Sequence, residues 1–274
     1  KADTAIHMTN WNLRDEADDS VCNASTDWRD AQQVAQHLHI PLRRARLEAD
    51  YWLTVFEPFL EKLKEGEMGN PDILCNRQVK FGSLLDTIGD QLLATGHYAR
   101  LWHRRGDCAI PECVQDRMRD QDIDWLRKWG PNSTPLLLQA ADQTKDQSYF
   151  LAASPGHRFQ NVIFPLGDLC KSSSRNQLPS VRQLAQELEL PNSSKRESMG
   201  ICFVGKRKFP DFINKYLEPT SRVQFVDIES NEILDETKNH QHAVLYNPGQ
   251  GARLGGQSQR YFCVKHEGNR VYVC

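Results

Sequence analysis

Apolar positions recur at helical spacing through much of this 274-residue chain and alternate with polar ones towards its C-terminal end. Thr4 to Met8 is short and mostly apolar and runs into the acidic stretch from Asp15 to Asp19, as a strand runs into a loop. Trp28, Ala31, Ala35 and Leu38 share a helical face, with Ser25 or Thr26 placed to cap the helix and Pro41 to end it. Leu42 to Leu47 predicts a strand. Tyr51, Trp52, Val55, Phe56, Phe59, Leu60 and Leu63 give a second helix a wide apolar face, kinked by Pro58 and terminated by Gly66. Asn70 to Asn76 reads as the loop beyond it. Phe81, Leu84, Leu85 and Ile88 predict a third helix, and Leu92 to His97 a buried strand opening into a glycine turn.

From His103 to Pro135 the chain turns charged and irregular, with a short helix around Trp125 and Trp129, and reads as an insertion before apolar character returns at Leu136 to Leu138. Val181, Leu184, Ala185 and Leu188 predict another amphipathic helix, and Phe209, Phe212, Ile213 and Tyr216 one more. After Arg222 the period shortens to that of strands: Val223 to Ile228, Ala243 to Tyr246, and a hairpin from Tyr261 to Val273 turning at Glu267-Gly268-Asn269. Alternating helix and strand predict an α/β class with a parallel sheet, followed by a separate β region, with no internal repeat.

Composition narrows the chemistry. A net charge of −2 with 26% charged residues means that any nucleic-acid contact must come from local basic clusters rather than from a global positive field. Eight cysteines, at 22, 75, 108, 113, 170, 202, 263 and 274, are too dispersed in a chain of this length for a disulfide scaffold, and favour a reducing compartment. No apolar run approaches the ~20 residues of a membrane span, and Lys1-Ala2-Asp3-Thr4 has neither a signal-peptide core nor an Arg-rich presequence, so a soluble chain with no membrane partner is expected.

Two cysteines stand in motifs dense in unusual residues: Cys75 in Asn70-Pro71-Asp72-Ile73-Leu74-Cys75-Asn76, and Cys202 in Glu197-Ser198-Met199-Gly200-Ile201-Cys202-Phe203. A thiolate is a nucleophile and sulfur carrier, and two cysteines brought together can pass a sulfur atom and close on each other as a disulfide. The alternative for each is a small buried hydrophobe. Against it stand the cations Arg77 and Lys80 after Cys75, and Lys206-Arg207-Lys208 after Cys202. Thr95-Gly96-His97 falls at the carboxyl end of a predicted strand, where open α/β sheets bind ligands; a plain tight turn is the alternative. Lys145-Asp146-Gln147-Ser148-Tyr149 combines a cation, hydrogen-bonding side chains and a stacking aromatic, the kit for a phosphodiester and an unstacked base, although a solvated loop would look the same. Cys108 and Cys113 lack a second ligand pair at zinc spacing, so no metal site is expected.

Taken together, these motifs resemble the tRNA-uridine 2-sulfurtransferase (2-thiouridylase) family. The resemblance is collinear, through His7-Met8-Thr9-Asn10-Trp11, Asp27 to Ile40, Tyr51-Trp52, Asn70 to Phe81, Ala94 to Arg100, Lys145 to Leu151, Phe164-Pro165-Leu166-Gly167 and Gly200-Ile201-Cys202-Phe203. It implies an ATP-pyrophosphatase-type α/β domain at 1–155, a small central domain at 156–220 and part of a C-terminal β-barrel at 221–274. It implies ATP with magnesium, tRNA as substrate, and a persulfide donor or relay protein. By position, Cys202 becomes the persulfide, Cys75 is the partner thiol and Asp72 an acid or base. Asn70, Pro71 and Asp72 surround the target base, Met8 and Gly96 line the ATP site, and His97, Lys145, Asp146 and Gln147 touch tRNA. The insertion and the loose Tyr246-to-Gly251 turn point to a mitochondrial homologue, with bacterial cytoplasm as the alternative, and a monomer is the default.

Two departures set a rival expectation. The family's Ser-Gly-Gly-x-Asp-Ser phosphate loop does not occur in these residues, and the chain stops at Val271-Tyr272-Val273-Cys274 where family members usually continue. A catalytically silent tRNA-binding remnant is therefore the alternative, and a different ATP-pyrophosphatase-fold enzyme with structural cysteines a third reading.

Overall fold

A computed structural model describes residues 2–11, 23–103, 134–172, 180–195, 204, 207–217, 222–237, 242–257 and 259–274. Cys202 and its motif, the residues around Trp125 and Trp129, and the pair Cys108 and Cys113 lie outside the described residues. In chain order the elements are β1 (Ala5–Thr9), α1 (Asn23–His37), β2 (Leu42–Arg46), α2 (residues 48–64), α3 (residues 71–88), β3 (Leu93–Ala94), β4 (Ala99–Trp102), β5 (Leu136–Gln139), α4 (Ser148–Leu151), β6 (Val162–Ile163), α5 (Val181–Glu187), α6 (Phe209–Ile213), β7 (Gln224–Asp227), β8 (Ile233–Glu236), β9 (Cys263–Glu267) and β10 (Arg270–Val273). The class is mixed α/β. The described strands pair as β1–β2, as parallel β3–β6, as antiparallel β4–β5, and as a four-stranded sheet in the order β8-β7-β10-β9, which closes no barrel.

The chain divides into two compact units: residues 1–6, 30–43 and 75–196 form one, and residues 7–29, 44–74 and 197–274 the other. In the first, Phe81, Leu85, Ala99, Leu151, Phe159, Val162 and Phe164 make a continuous buried cluster. Phe81 meets Phe159 and Phe164 edge to face, with centroids 5.1 and 6.0 Å apart, so α3 is pinned by aromatic packing. Gly167 follows from the turn after Phe164. A side chain there would overlap the Ala99 carbonyl of β4, so only glycine lets the two backbone segments approach this closely.

In the second unit, α2 runs without a break in helical conformation through a π-helical stretch, Trp52–Phe56, into Glu57–Lys64. The kink expected at Pro58 is replaced by this π-helical stretch directly before it, where the wider hydrogen-bond spacing departs from the α-helical pattern that a proline interrupts. The helix ends as Gly66 predicts. With φ of +85°, Gly66 donates to the Leu63 carbonyl at 3.1 Å and Glu67 to the Lys62 carbonyl at 2.8 Å, a Schellman closure. Phe56 packs edge to face on Phe212 and Tyr216, tying α2 to α6. The C-terminal sheet buries Val223, Phe225, Cys263, Val271 and Val273 against Ala243 and Ala252.

Several elements differ from expectation. Beyond Asn70 the segment is helical rather than a loop: Pro71–Leu74 is an α-turn that passes into π-helical Cys75–Ser83. The strand expected over Leu92 to His97 is only Leu93–Ala94, and Leu92 is exposed, because β6 offers it just two pairing positions. Ala243 to Leu245 forms a 3-10 turn instead of a strand, with all three residues buried. β8 carries little apolar signal because it is an edge strand, with Ile233 exposed.

Candidate active site

Asn70 begins the Cys75 helix by capping it. Its Oδ1 accepts the Asp72 N–H at 3.0 Å, and Pro71 occupies the first helical position, where its fixed φ suits the turn. Asn-Pro-Asp is therefore a helix-start signal as well as a candidate base-contact motif. Pro71 is buried and Asp72 half-buried. Four residues after the Pro71 start comes Cys75, 5% exposed, at the head of a π-helical segment, a distortion that frequently accompanies functional sites. Burial of this thiol agrees with the alternative left open by the sequence, and its helical setting replaces the loop expected there. Gly82 breaks the helical dihedrals six positions before Ile88, with φ −114° and ψ −105°.

Asn76 is even more enclosed, 3% exposed, and its Nδ2 donates to the Phe150 carbonyl of α4 at 3.2 Å. From sequence it reads only as a polar flank. Its phase on α3, three positions before the fully buried Val79, is the signal that could have placed it inside.

Thr95, Gly96 and His97 follow β3, and Thr95 donates from its backbone to the Ile163 carbonyl at 3.2 Å. His97 is 9% exposed, packs against the rings of both Phe81 and Phe164, and its Nδ1 is 2.8 Å from the Thr95 hydroxyl. Burial, reinforced by the positive charge of Lys80, holds its pKa down to about 3, so the ring is neutral near pH 7. A Cβ on Gly96 would meet only Leu166 Cδ1, at an ordinary 3.7 Å, so packing alone does not require glycine there.

The segment 145–147 is built around backbone-directed bonds. Asp146 Oδ1 accepts the Ala140 N–H at 2.9 Å and the Ser148 N–H at 3.3 Å, and its Oδ2 accepts the Ser148 hydroxyl at 2.8 Å. Gln147 and Tyr98 are clamped twice: Tyr98 N–H to Gln147 Oε1 at 2.9 Å, and Gln147 N–H to the Tyr98 carbonyl at 2.8 Å. The structure thus brings His97-Tyr98 and Asp146-Gln147 together within one unit, with Cys75 and Gly96 in the same unit. Lys145 is half-buried beside them, and Tyr149 projects, 64% exposed. Met8, half-buried on β1, and Asn70, Pro71 and Asp72 belong to the other unit. Among the described residues no group of three or more His, Cys, Asp or Glu could hold a metal ion, and no helix is long and apolar enough to cross a membrane.

The family described as tRNA methyl transferase HUP domain matches residues 2–206. Mitochondrial tRNA-specific 2-thiouridylase 1 of Dictyostelium discoideum is 34% identical across 99% of this chain and 55% of its own length. The human protein of the same name is 35% identical across 96% of the chain and 60% of its own length. The tRNA-specific 2-thiouridylase MnmA of Serratia proteamaculans is 36% identical across 98% of the chain and 65% of its own length. The chain spans between 55% and 65% of these relatives. With a family match that takes in every one of its motif blocks and relatives aligned along nearly all of it, the chain belongs to the tRNA-specific 2-thiouridylase family.

Proposed function

We propose that this chain carries the thiol chemistry of a tRNA 2-sulfurtransferase, moving a persulfide sulfur to C2 of the wobble uridine to make 2-thiouridine. The observation that carries the reading is the alignment of the chain, Cys75 motif included, with relatives named tRNA-specific 2-thiouridylases. A C2 carbonyl is a poor electrophile, and ATP would activate it by adenylating its oxygen, with magnesium on the phosphates. The residues present fit that ligand incompletely: Met8 and Gly96 are candidates to line the ATP site, but no Ser-Gly-Gly-x-Asp-Ser cradle occurs in the sequence. The steps below are therefore those of the chain's own thiols.

Cys202 carries the sulfur as a persulfide. Its terminal sulfur bonds to C2 of the activated uridine, and the adenylated oxygen departs with its electron pair. The Cys75 thiolate then attacks Cys202 Sγ, forming a Cys75–Cys202 disulfide, while the electrons of the broken S–S bond pass to the sulfur on C2 and leave it as a thiocarbonyl. A reductant reopens the disulfide. Asp72 would act as acid or base at the base, with Asn70 and Pro71 beside it. Lys145, Asp146 and Gln147 would meet tRNA, and the buried, neutral His97 would serve by shaping the Thr95-Gly96 turn. A persulfide donor or relay protein, a monomeric state and a mitochondrial setting complete the reading, as do domain limits at 155 and 220.

The test is an incubation of unmodified tRNA, ATP and a persulfide donor with the chain joined to a Ser-Gly-Gly-x-Asp-Ser segment, read by mass spectrometry for 2-thiouridine. Product is expected, and should vanish in Cys75→Ser and in Cys202→Ser. No product under these conditions sinks the catalytic reading; retained product in either variant sinks the role given to that cysteine.

A further inference from the structure

Asn76 spends hydrogen-bonding capacity where an apolar residue would fill the space. It is 3% exposed, one amide hydrogen reaches the Phe150 carbonyl at 3.2 Å across 74 positions of sequence, and its Oδ1 is buried with no hydrogen-bond partner. An acceptor left unbonded in an interior destabilises the enclosed state. The carboxamide therefore marks a requirement beyond packing.

The bond joins two pieces of the candidate site. Phe150 lies in α4, whose first turn is held by the Asp146 carboxylate, and the preceding Gln147 is clamped in both directions to Tyr98. The segment 145–151 and the Tyr98 backbone are thereby one hydrogen-bonded block. On the other side of the bond is the π-helical start of Cys75–Ser83, where the thiol and the carboxamide are consecutive residues. A π-turn is wider and less regular than an α-turn, so its rotation is easily altered unless a side chain fixes it.

We propose that Asn76 is a positioning residue for Cys75: its bond to Phe150 sets the rotation of the π-helical turn, and with it the direction of the thiol, relative to residues 145–151. The unbonded Oδ1 keeps that closed arrangement from being too stable to open, because an opened turn lets water or a substrate N–H satisfy it. The kinetic side of this inference rests on the sulfur-transfer reading; the geometric side does not.

Two variants test it, with per-site alkylation by iodoacetamide followed by mass spectrometry of the native full chain. In Asn76→Ala the Cys75 rate should rise about tenfold, the order expected for loss of one buried hydrogen bond, while buried Cys170 and Cys263 keep their parent rates. In Asn76→Ser, whose hydroxyl can still donate, the rise should be smaller; if the alanine variant does not fold, the serine variant decides. Where the parent joined to the Ser-Gly-Gly-x-Asp-Ser segment makes 2-thiouridine, Asn76→Ala in the same joined chain should lower kcat about tenfold with the KM for tRNA within about twofold. An unchanged Cys75 rate, or parallel acceleration at Cys170 and Cys263, overturns the positioning role. A parent that makes no 2-thiouridine even when joined to the Ser-Gly-Gly-x-Asp-Ser segment counts against the sulfur-transfer reading alone, and the alkylation rates still decide on Asn76.

Discussion

His97 shows how an environment rewrites a residue. A histidine after a strand-end glycine reads as a donor to phosphate, yet here the ring is enclosed by Phe81 and Phe164, and burial, followed by Lys80, lowers its pKa to about 3 from the usual 6.5. In the window between those values the unfolded chain binds a proton that the folded chain refuses. The stabilisation is therefore complete above about pH 6.5 and is lost as pH falls, by up to about 1.4 kcal/mol per pH unit. Urea midpoints measured at pH 7, 5.5 and 4.5 should fall accordingly, and the His97→Gln variant should show a shallower pH dependence by nearly one proton. An identical slope in the variant would mean that other groups carry the acid sensitivity. The residue types at the site were legible in the sequence; whether each is wet, buried or bonded was not, because exposure depends on neighbours up to 74 positions away, as for Asn76 and Phe150.

At the scale of elements, local grammar was read well where the signal is local. Gly66 closes α2 with a positive φ, and the hairpin of β9 and β10 turns through Gly268, also at positive φ. Grammar failed where one signal served two purposes. Asn-Pro-Asp looked like a loop because its residues favour turns, but the same residues favour the first turn of a helix, and Asn70 caps one. Gly167 belongs to this scale too. Its lack of a side chain lets the turn after β6 lie against the Ala99 carbonyl, and its own carbonyl accepts the Ala141 N–H at 2.8 Å. In Gly167→Ala one of these backbones must move, a strain of the overpacking kind that costs about 1–3 kcal/mol. A urea midpoint unchanged from the parent would show that the approach is looser than the structure has it.

At the scale of the molecule, burial sorts the four described thiols. Cys75, Cys170 and Cys263 are buried, Cys274 is exposed, and desolvation raises the pKa of Cys263, which disfavours its thiolate. In the native chain Cys274 should alkylate at least roughly tenfold faster than these three, since each must wait for local opening; comparable rates would contradict the packing of both units. What the sequence by itself determined is the ordered series of motifs, the class of mixed helix and strand, the helix stops at glycine, and the family, which the alignments along nearly the whole chain bear out. These depend on residues close together in the chain, where propensity and spacing act directly. Only the tertiary structure decided that Cys75 heads a buried π-helical turn, that His97 is neutral, that Asp146 and Gln147 hold backbone rather than wave in solvent, and that Asn76 reaches Phe150. Desolvation and long-range hydrogen bonding set those outcomes, and both are properties of the folded neighbourhood rather than of any stretch of sequence.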